Sequence, residues 1–251
     1  MEPETGRIRA MVNWPNYNPN RYDEFSSSRR RNRIISDVFE PGSTLKPVTM
    51  AIGLAEGAFE PSSTFGCDGY VYLPGAKHTI HCHDVHGNLT IPEILIQSCN
   101  VGVVKAAQRI QPVPYYKSFR DFGFGTWSGI RLPGEAEGTL RRPSNWSSMS
   151  QPAMAIGQGV SATALQVTNA ISLLVNDGVL MKPRIVEVVR DRRGNKKTVK
   201  PFRIRRVVPE GIADSMTKYM QQVVEKGTGQ QAALEGYTLG GKTGTAQKPN
   251  R

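Results

Sequence analysis

Pro47 is the residue that most constrains how this chain folds. It stands in "FEPGSTLKPVTMAIGLAEG", residues 39–57, with Pro41 and Gly42 before it and helix-forming residues after it. Proline has no N–H to donate, and its ring clashes with the carbonyl one turn back, so a helix accepts it only in the first turn. The helix therefore starts at or beside Ser43, runs to about residue 56 and closes on Gly57. Lys46 then lies one turn from Ser43 on the same face. Ser43 is either the cap of this helix or a nucleophile with Lys46 as its base. Free N–H groups and the helix dipole favour negative charge at a helix start, which suits an attacking oxygen. The nucleophile reading needs a neutral Lys46, hence burial or neighbouring positive charge.

The same punctuation divides the rest of the chain. "GRIRAMVN" at 6–13 alternates as a strand, and "WPNYNPN" breaks it. Residues 17–31 read as a polar loop, and 58–89 as a loop or hairpin region rich in Gly, Pro and Ser. Thr90-Ile91-Pro92-Glu93 is a capping box with proline in the first turn, which predicts a helix over 91–97. A second helix starts near Asn100, and a short one over 114–121 ends at "GFG". Residues 126–160 read as irregular, with "GQG" at 157–159 as a turn supporting the site. "SATALQVTNAISLLVNDG" at 161–178 reads as a buried helix capped by Ser161 and closed by Gly178. Residues 184–208 read as a hairpin turning at Gly194-Asn195, 209–229 as a helix, and 237–247 as a strand with glycines. Helices in the middle with strands at both ends make the fold α+β around an antiparallel sheet. The 251 residues suffice for a sizeable core, and no apolar run approaches the roughly 18–20 residues that span a bilayer. The N-terminus lacks the basic start and apolar run of a signal peptide, and Met1 reads as a start placed inside a longer protein.

A Ser-x-x-Lys spacing alone is weak, and the chain contains a second copy at Ser215–Lys218. That copy lies inside a predicted helix with no glycine or proline immediately before it, and is read as surface. Two further motifs raise the weight of Ser43 and Lys46. Ser98-Cys99-Asn100 falls at the junction of two predicted helices, and Lys242-Thr243-Gly244-Thr245 falls on the last predicted strand. Ser-x-x-Lys, Ser-x-Asn and Lys-Thr-Gly in this order are the signature of penicillin-binding proteins and class A β-lactamases.

The chain resembles the transpeptidase domain of class B penicillin-binding proteins, more narrowly the division-specific type called penicillin-binding protein 3. The likeness lies in "RNRIISDVFEPGSTLKP" (31–47), "PNYNPN" (15–20), "HGNLTIPEILIQSCN" (86–100), "AIGQGVSATALQ" (155–166) and "GGKTGTAQ" (240–247), and covers nearly all of residues 1–251. It implies the penicillin-binding/serine β-lactamase-like fold: a five-stranded antiparallel sheet flanked by helices, a mostly helical subdomain, and the site between them. It implies that Ser43 attacks D-Ala-D-Ala stem peptides to form an acyl-enzyme and that Lys46 is the general base. Ser98 relays a proton to the leaving D-alanine, and Asn100 holds Lys46 and the substrate amide. Lys242 adds positive charge that keeps Lys46 neutral, and Thr243 and Thr245 bind the substrate carboxylate. The N–H groups of Ser43 and Thr245 form the oxyanion hole, and Gly241 and Gly244 let the peptide approach the backbone. β-Lactams would acylate Ser43. The resemblance further implies divisome membrane proteins as partners and a place in the bacterial envelope, at the outer face of the cytoplasmic membrane, with no cofactor. Against the family pattern, the membrane anchor and pedestal are expected to be missing before residue 1. Two strands and a helix are expected to be missing after Lys-Thr-Gly, leaving a C-terminally truncated, unstable sheet. Two rival readings remain: a serine β-lactamase or D,D-carboxypeptidase, disfavoured because no Glu-x-x-Leu-Asn element lies between residues 100 and 242, and a non-catalytic penicillin-binding sensor.

The net charge of +11 comes from clusters such as "RRRNR" (29–33), "LRR" (140–142) and "RDRRGNKKTVKPFRIRR" (190–206). Aromatics are not interleaved with them and no nucleic-acid motif is present, so nucleic acid is excluded; a solvated surface and a nearby anionic membrane or polymer both remain. All four histidines lie within nine residues, "HTIHCHDVH": His78, His81, His83 and His86. With Cys82 and Cys67 they allow three readings: zinc ligation, a Cys67–Cys82 disulfide, or a plain surface hairpin. The spacing fits no established zinc pattern, and the hairpin without metal is the reading adopted. Cys99, inside Ser-x-Asn, is expected to be buried.

Overall fold

The protein is described here by a computed structural model over residues 1–75 and 79–244. Two single-turn helices, α1 (Ser27–Arg30) and α2 (Arg33–Ser36), lead into strand β1 (Val38–Phe39), a 3-10 turn at Gly42–Leu45 and helix α3 (Lys46–Ala55). Pro47 occupies the first turn of α3, as its missing N–H requires, and Gly57 closes the helix with φ +65°. Every residue of α3 from Lys46 to Gly53 is buried. It is the central helix, packed against helices from later in the chain.

Strands β2 (Thr64–Cys67), β3 (Tyr70–Val71), β4 (Ile80–His81) and β5 (Gly87–Thr90) pair antiparallel, β2 with β5 and β3 with β4. Thr90 and Glu93 close the predicted capping box at the start of α4 (Ile91–Ile96). Helix α5 (Asn100–Ala107) begins where the sequence places it, and α6 (Pro112–Asp121) starts at Pro112 and ends before Gly123 and Gly125, both at positive φ. Residues 126–160, expected to be irregular, contain strand β6 (Thr139–Leu140), helix α7 (Ser150–Ala155) and the start of strand β7 (Val160–Thr163). Helix α7 is too short to announce itself by periodicity. It is held by tertiary contacts, with Gln151 Nε2 donating to the carbonyls of Ala107 (2.7 Å), the last residue of α5, and Ile110 (2.8 Å) just after it.

Helix α8 (Ala164–Leu174) corrects the expected cap. Ser161 lies in β7, paired with Thr139, and the chain turns helical only at Thr163. Thr163 Oγ1 accepts from Gln166 N, and Gln166 Oε1 accepts from Thr163 N. Strand β8 (Val179–Met181) follows, then the predicted hairpin of β9 (Val188–Arg190) and β10 (Lys196–Thr198) about Gly194, then β11 (Arg203–Arg206), which pairs with β8. Helix α9 (Glu210–Lys226) buries Ala213, Met216, Met220 and Val223, one stripe at helical spacing.

The architecture is α+β, with small antiparallel sheets and helices. The three-stranded sheet runs β1-β7-β6, and among the described residues the five-stranded sheet implied by resemblance is not assembled. Two strand expectations are corrected. Residues 6–13 form only one bridge, Arg7 with Arg184, although Ile8 and Met11 do pack on the small cluster of Ile35, Ile130 and Leu165. Residues 237–244 are in no strand, and 245–247 lie outside the described residues. Alternation selects a face, but a strand also needs a neighbour for its N–H and C=O groups. The principal core surrounds α3 and draws on α4, α5, α6, α8 and α9. Among the described residues no helix is long and apolar enough to cross a membrane.

Candidate active site

The structure removes the capping reading of Ser43. Ser43 sits inside the 3-10 turn, and neither that turn nor α3 has a side-chain cap hydrogen bond at its start, so the expected capping role is overturned. Its hydroxyl makes no hydrogen bond among the described residues and is half-buried. By contrast, Ser215 Oγ is occupied by the Gly211 carbonyl at 2.8 Å and Lys218 is exposed, so the second Ser-x-x-Lys copy is surface. The turn carrying Ser43 is buttressed by "GQG". Gly42 N donates to the Gly157 carbonyl (2.9 Å), and Gly159 N to Glu40 Oε1 (2.7 Å). Gly157, at φ +77°, comes so close that an added Cβ would stand 1.9 Å from the Gly42 oxygen.

Lys46 is completely buried. Its Nζ donates to the Ser98 carbonyl (2.5 Å), to Asn100 Oδ1 (2.7 Å) and to Ser98 Oγ (3.3 Å). The junction of α4 and α5 makes this grip possible. α4 ends at Ile96 with Gln97 as its C-cap, and Ser98 takes φ +54°, a left-handed conformation that non-glycine residues adopt only under constraint. Cys99 then caps α5 through Gly102 N (3.2 Å). The reversal turns both Ser98 oxygens to Lys46, while Asn100 is itself fixed by donating Nδ2 to the His81 carbonyl (2.8 Å). Burial, then the positive charge of Lys242, lower the Lys46 pKa from 10.5 to about 7; thiolate charge at Cys99 and Cys82 opposes them.

The Lys242-Thr243-Gly244 segment runs along α9 and reaches the Ser43 turn. Gly241 N donates to the Met220 carbonyl (3.0 Å), and an added Cβ on Gly244 would stand 2.6 Å from Thr44 Cγ2. Burial lowers the Lys242 pKa to about 8. Its Nζ donates to Thr243 Oγ1 (3.0 Å), and Thr243 Oγ1 lies 2.8 Å from Thr228 Oγ1. Thr245, expected to supply the second oxyanion N–H and a carboxylate ligand, lies outside the described residues, as does His78. Lys46, Ser98 and Asn100 are thus brought into direct contact, Lys242 couples to Lys46 through charge, and Gly244 abuts the residue after Ser43. Thr228 was not assigned to the site from sequence, and Gly157 was read only as part of a supporting turn. Thr228 stands between two glycines in "KGTG", a pattern that reads locally as a helix end. Cys67 and Cys82 are free thiols, with Sγ atoms 3.6 Å apart and no disulfide between them.

The arrangement holds a buried lysine of lowered pKa against a second hydroxyl, that of Ser98, one turn from Ser43. The sequence matches the family described as penicillin binding protein transpeptidase domain over residues 1–251. It is 34% identical over 249 residues to the probable peptidoglycan D,D-transpeptidase PenA of Neisseria flavescens, covering 99% of this chain and 59% of that protein. It is 36% identical over 253 residues to stage V sporulation protein D of Bacillus subtilis, covering 99% of this chain and 39% of that protein. Among solved structures, the transpeptidase domain of Burkholderia pseudomallei penicillin-binding protein 3 superposes with TM-score 0.83 at 30% identity, covering 99% of this chain and 68% of that one. Penicillin-binding protein 3 of Mycobacterium tuberculosis, complexed with aztreonam, superposes with TM-score 0.80 at 34% identity, covering 87% and 50%. Motif order, the Lys46 contacts and similarity along the whole length agree, and the chain belongs to the penicillin-binding protein transpeptidase domain family.

Proposed function

We propose that this chain is a serine D,D-transpeptidase that cross-links peptidoglycan stem peptides ending in D-Ala-D-Ala and is acylated by β-lactams. One observation carries the reading: a lysine without solvent exposure, its pKa brought to about 7, held by Ser98 and Asn100 one turn from a serine whose hydroxyl makes no hydrogen bond among the described residues. Neutral Lys46 takes the proton of Ser43 Oγ as that oxygen attacks the penultimate D-alanine carbonyl. The tetrahedral oxyanion is held by the Ser43 N–H and a donor at Thr245. The proton then passes from Lys46 through Ser98 Oγ, 3.3 Å from Nζ, to the departing D-alanine nitrogen. The C–N bond breaks and leaves an ester on Ser43. An amine of a second stem peptide attacks the ester, its proton returns by the same route, and the cross-link forms as Ser43 is released. Lys242 and Thr243, with Thr228 beside them, face the substrate carboxylate with positive charge and hydroxyls.

The likeness of residues 31–47 to division-specific members supports a role at the septum, with divisome membrane proteins as partners and the active face outside the cytoplasmic membrane. Intact-mass and peptide analysis after incubation with a β-lactam tests the proposal. One covalent adduct on the Ser43 peptide is expected, and none in Ser43→Ala with the fold retained. An adduct persisting in Ser43→Ala removes Ser43 from the mechanism, and many turnovers of nitrocefin in place of stoichiometric acylation would make the protein a β-lactamase.

A further inference from the structure

Four sulfur and nitrogen ligand atoms converge beside the Ser-x-Asn junction. Cys67 ends β2, Cys82 follows β4, His86 precedes β5 and Cys99 caps α5. Cys67 Sγ lies 3.6 Å from Cys82 Sγ and 3.3 Å from His86 Nδ1, and Cys82 Sγ lies 3.5 Å from Cys99 Sγ. All four ligand atoms fall within 4.8 Å of one another. A tetrahedral zinc with Zn–S of about 2.3 Å and Zn–N of about 2.0–2.1 Å has S···S edges of about 3.8 Å and S···N edges of about 3.5 Å. The observed separations are close to those edges. A Cys67–Cys82 disulfide would leave a third thiol in contact with the pair, whereas a metal uses all three.

The surroundings suit thiolate ligands. Asn100 N (3.1 Å) and Val101 N (3.3 Å) donate to Cys82 Sγ, and Gly102 N (3.2 Å) donates to Cys99 Sγ. These are the free N–H groups of the first turn of α5, which favour negative charge. Cys67 and Cys99 have no solvent exposure, and buried thiolates without a counter-cation would be strongly disfavoured. The backbone closes around the set, with His86 N donating to the Cys67 carbonyl (3.2 Å) and Cys82 N to the Gly69 carbonyl (2.8 Å).

We infer that Cys67, Cys82, His86 and Cys99 bind one structural zinc ion, which fastens the β2–β5 region to the start of α5. Binding releases one proton from each thiol that was protonated. Three thiolates and an imidazole fill the tetrahedron, leave no open position and make the site structural. Cys99 lies between the two residues that grip Lys46, so the ion anchors the active-site junction. This reading is independent of the transpeptidase proposal, because its test counts metal.

Elemental analysis of the purified full chain is expected to find one zinc per chain. Cys67→Ser and His86→Ala should each lose it, while His83→Ala, at an exposed neighbour, should keep it. If either ligand variant fails to fold, cobalt decides: reduced apo-protein given Co²⁺ should show the visible bands of a tetrahedral thiolate site. A wild-type protein that contains no zinc, takes up none when Zn²⁺ is supplied to the reduced apo-form and shows no such cobalt bands overturns the inference. So does zinc that survives Cys67→Ser but is lost in His83→Ala, which would place it on surface histidines.

Discussion

Burying an ammonium group is unfavourable, and Lys46 accepts that condition at the centre of α3. Its three acceptors, the Ser98 carbonyl, Ser98 Oγ and Asn100 Oδ1, compensate the hydrogen bonds lost to water but bring no full negative charge. The neutral form is therefore accessible near pH 7. The sign is direct: acylation of Ser43 should rise with pH as Lys46 loses its proton, with an acid limb near pH 7. Lys242 lowers the Lys46 pKa through its charge, so Lys242→Gln should move that limb to higher pH while weakening carboxylate binding. Rates of fluorescent-penicillin labelling from pH 5.5 to 9 check this; an unmoved limb in Lys242→Gln would show that Lys242 does not set the protonation of Lys46. Ser43 and Lys46 were legible in sequence because Pro47 fixes their place at a helix start. Whether Ser43 caps or stands free was not, since one serine can do either and the neighbouring turn decides.

Between elements, the contact that holds the Ser43 turn is backbone against backbone. Gly157 and Gly42 meet so closely that no side chain fits, and both lie at positive φ. Gly157→Ala should therefore displace the Ser43 turn. Labelling is expected to fall at least tenfold, with a loss of roughly 1–3 kcal/mol of stability from the strained φ and the clash; labelling kinetics and denaturant titration of one preparation give both values. The "GQG" turn was readable as support for the site, but its target was not, because 115 residues separate Gly42 from Gly157. The α4–α5 junction behaves similarly. The Thr90–Glu93 box and the break at Ser98 are local signals, whereas the left-handed φ of Ser98 has meaning only once Lys46 is seen facing it.

At the scale of the whole molecule, the buried lysine enters the folding equilibrium. Its folded pKa lies below the unfolded value of 10.5, so between about pH 7 and 10.5 the unfolded chain binds more protons and stability rises with pH. A pKa of about 7 corresponds to a full effect on the order of 5 kcal/mol. Denaturant titrations at pH 6.5 and 9.5 should show the protein gaining stability relative to Lys46→Met, and parallel pH dependences would show that Lys46 stays charged when folded. Local sequence is enough for whatever sterics and hydrogen-bond supply settle within a few residues. These include the start of α3 at Pro47, the capping box of α4, the turn at Gly194, the stripe of α9 and the order of the three motifs. Tertiary structure alone decided the rest. Residues 6–13 and 237–244 read as strands in sequence, yet the ladder depends on which neighbour arrives. Thr163 rather than Ser161 caps α8 because β6 claims Ser161. Cys67, Cys82 and His86, read from sequence as a surface hairpin, and Cys99, expected to be buried in a separate motif, become one cluster because β2, β4, β5 and α5 bring their ligand atoms together. A side chain's neighbours across space are set by the packing of distant elements, and no local pattern encodes that arrangement.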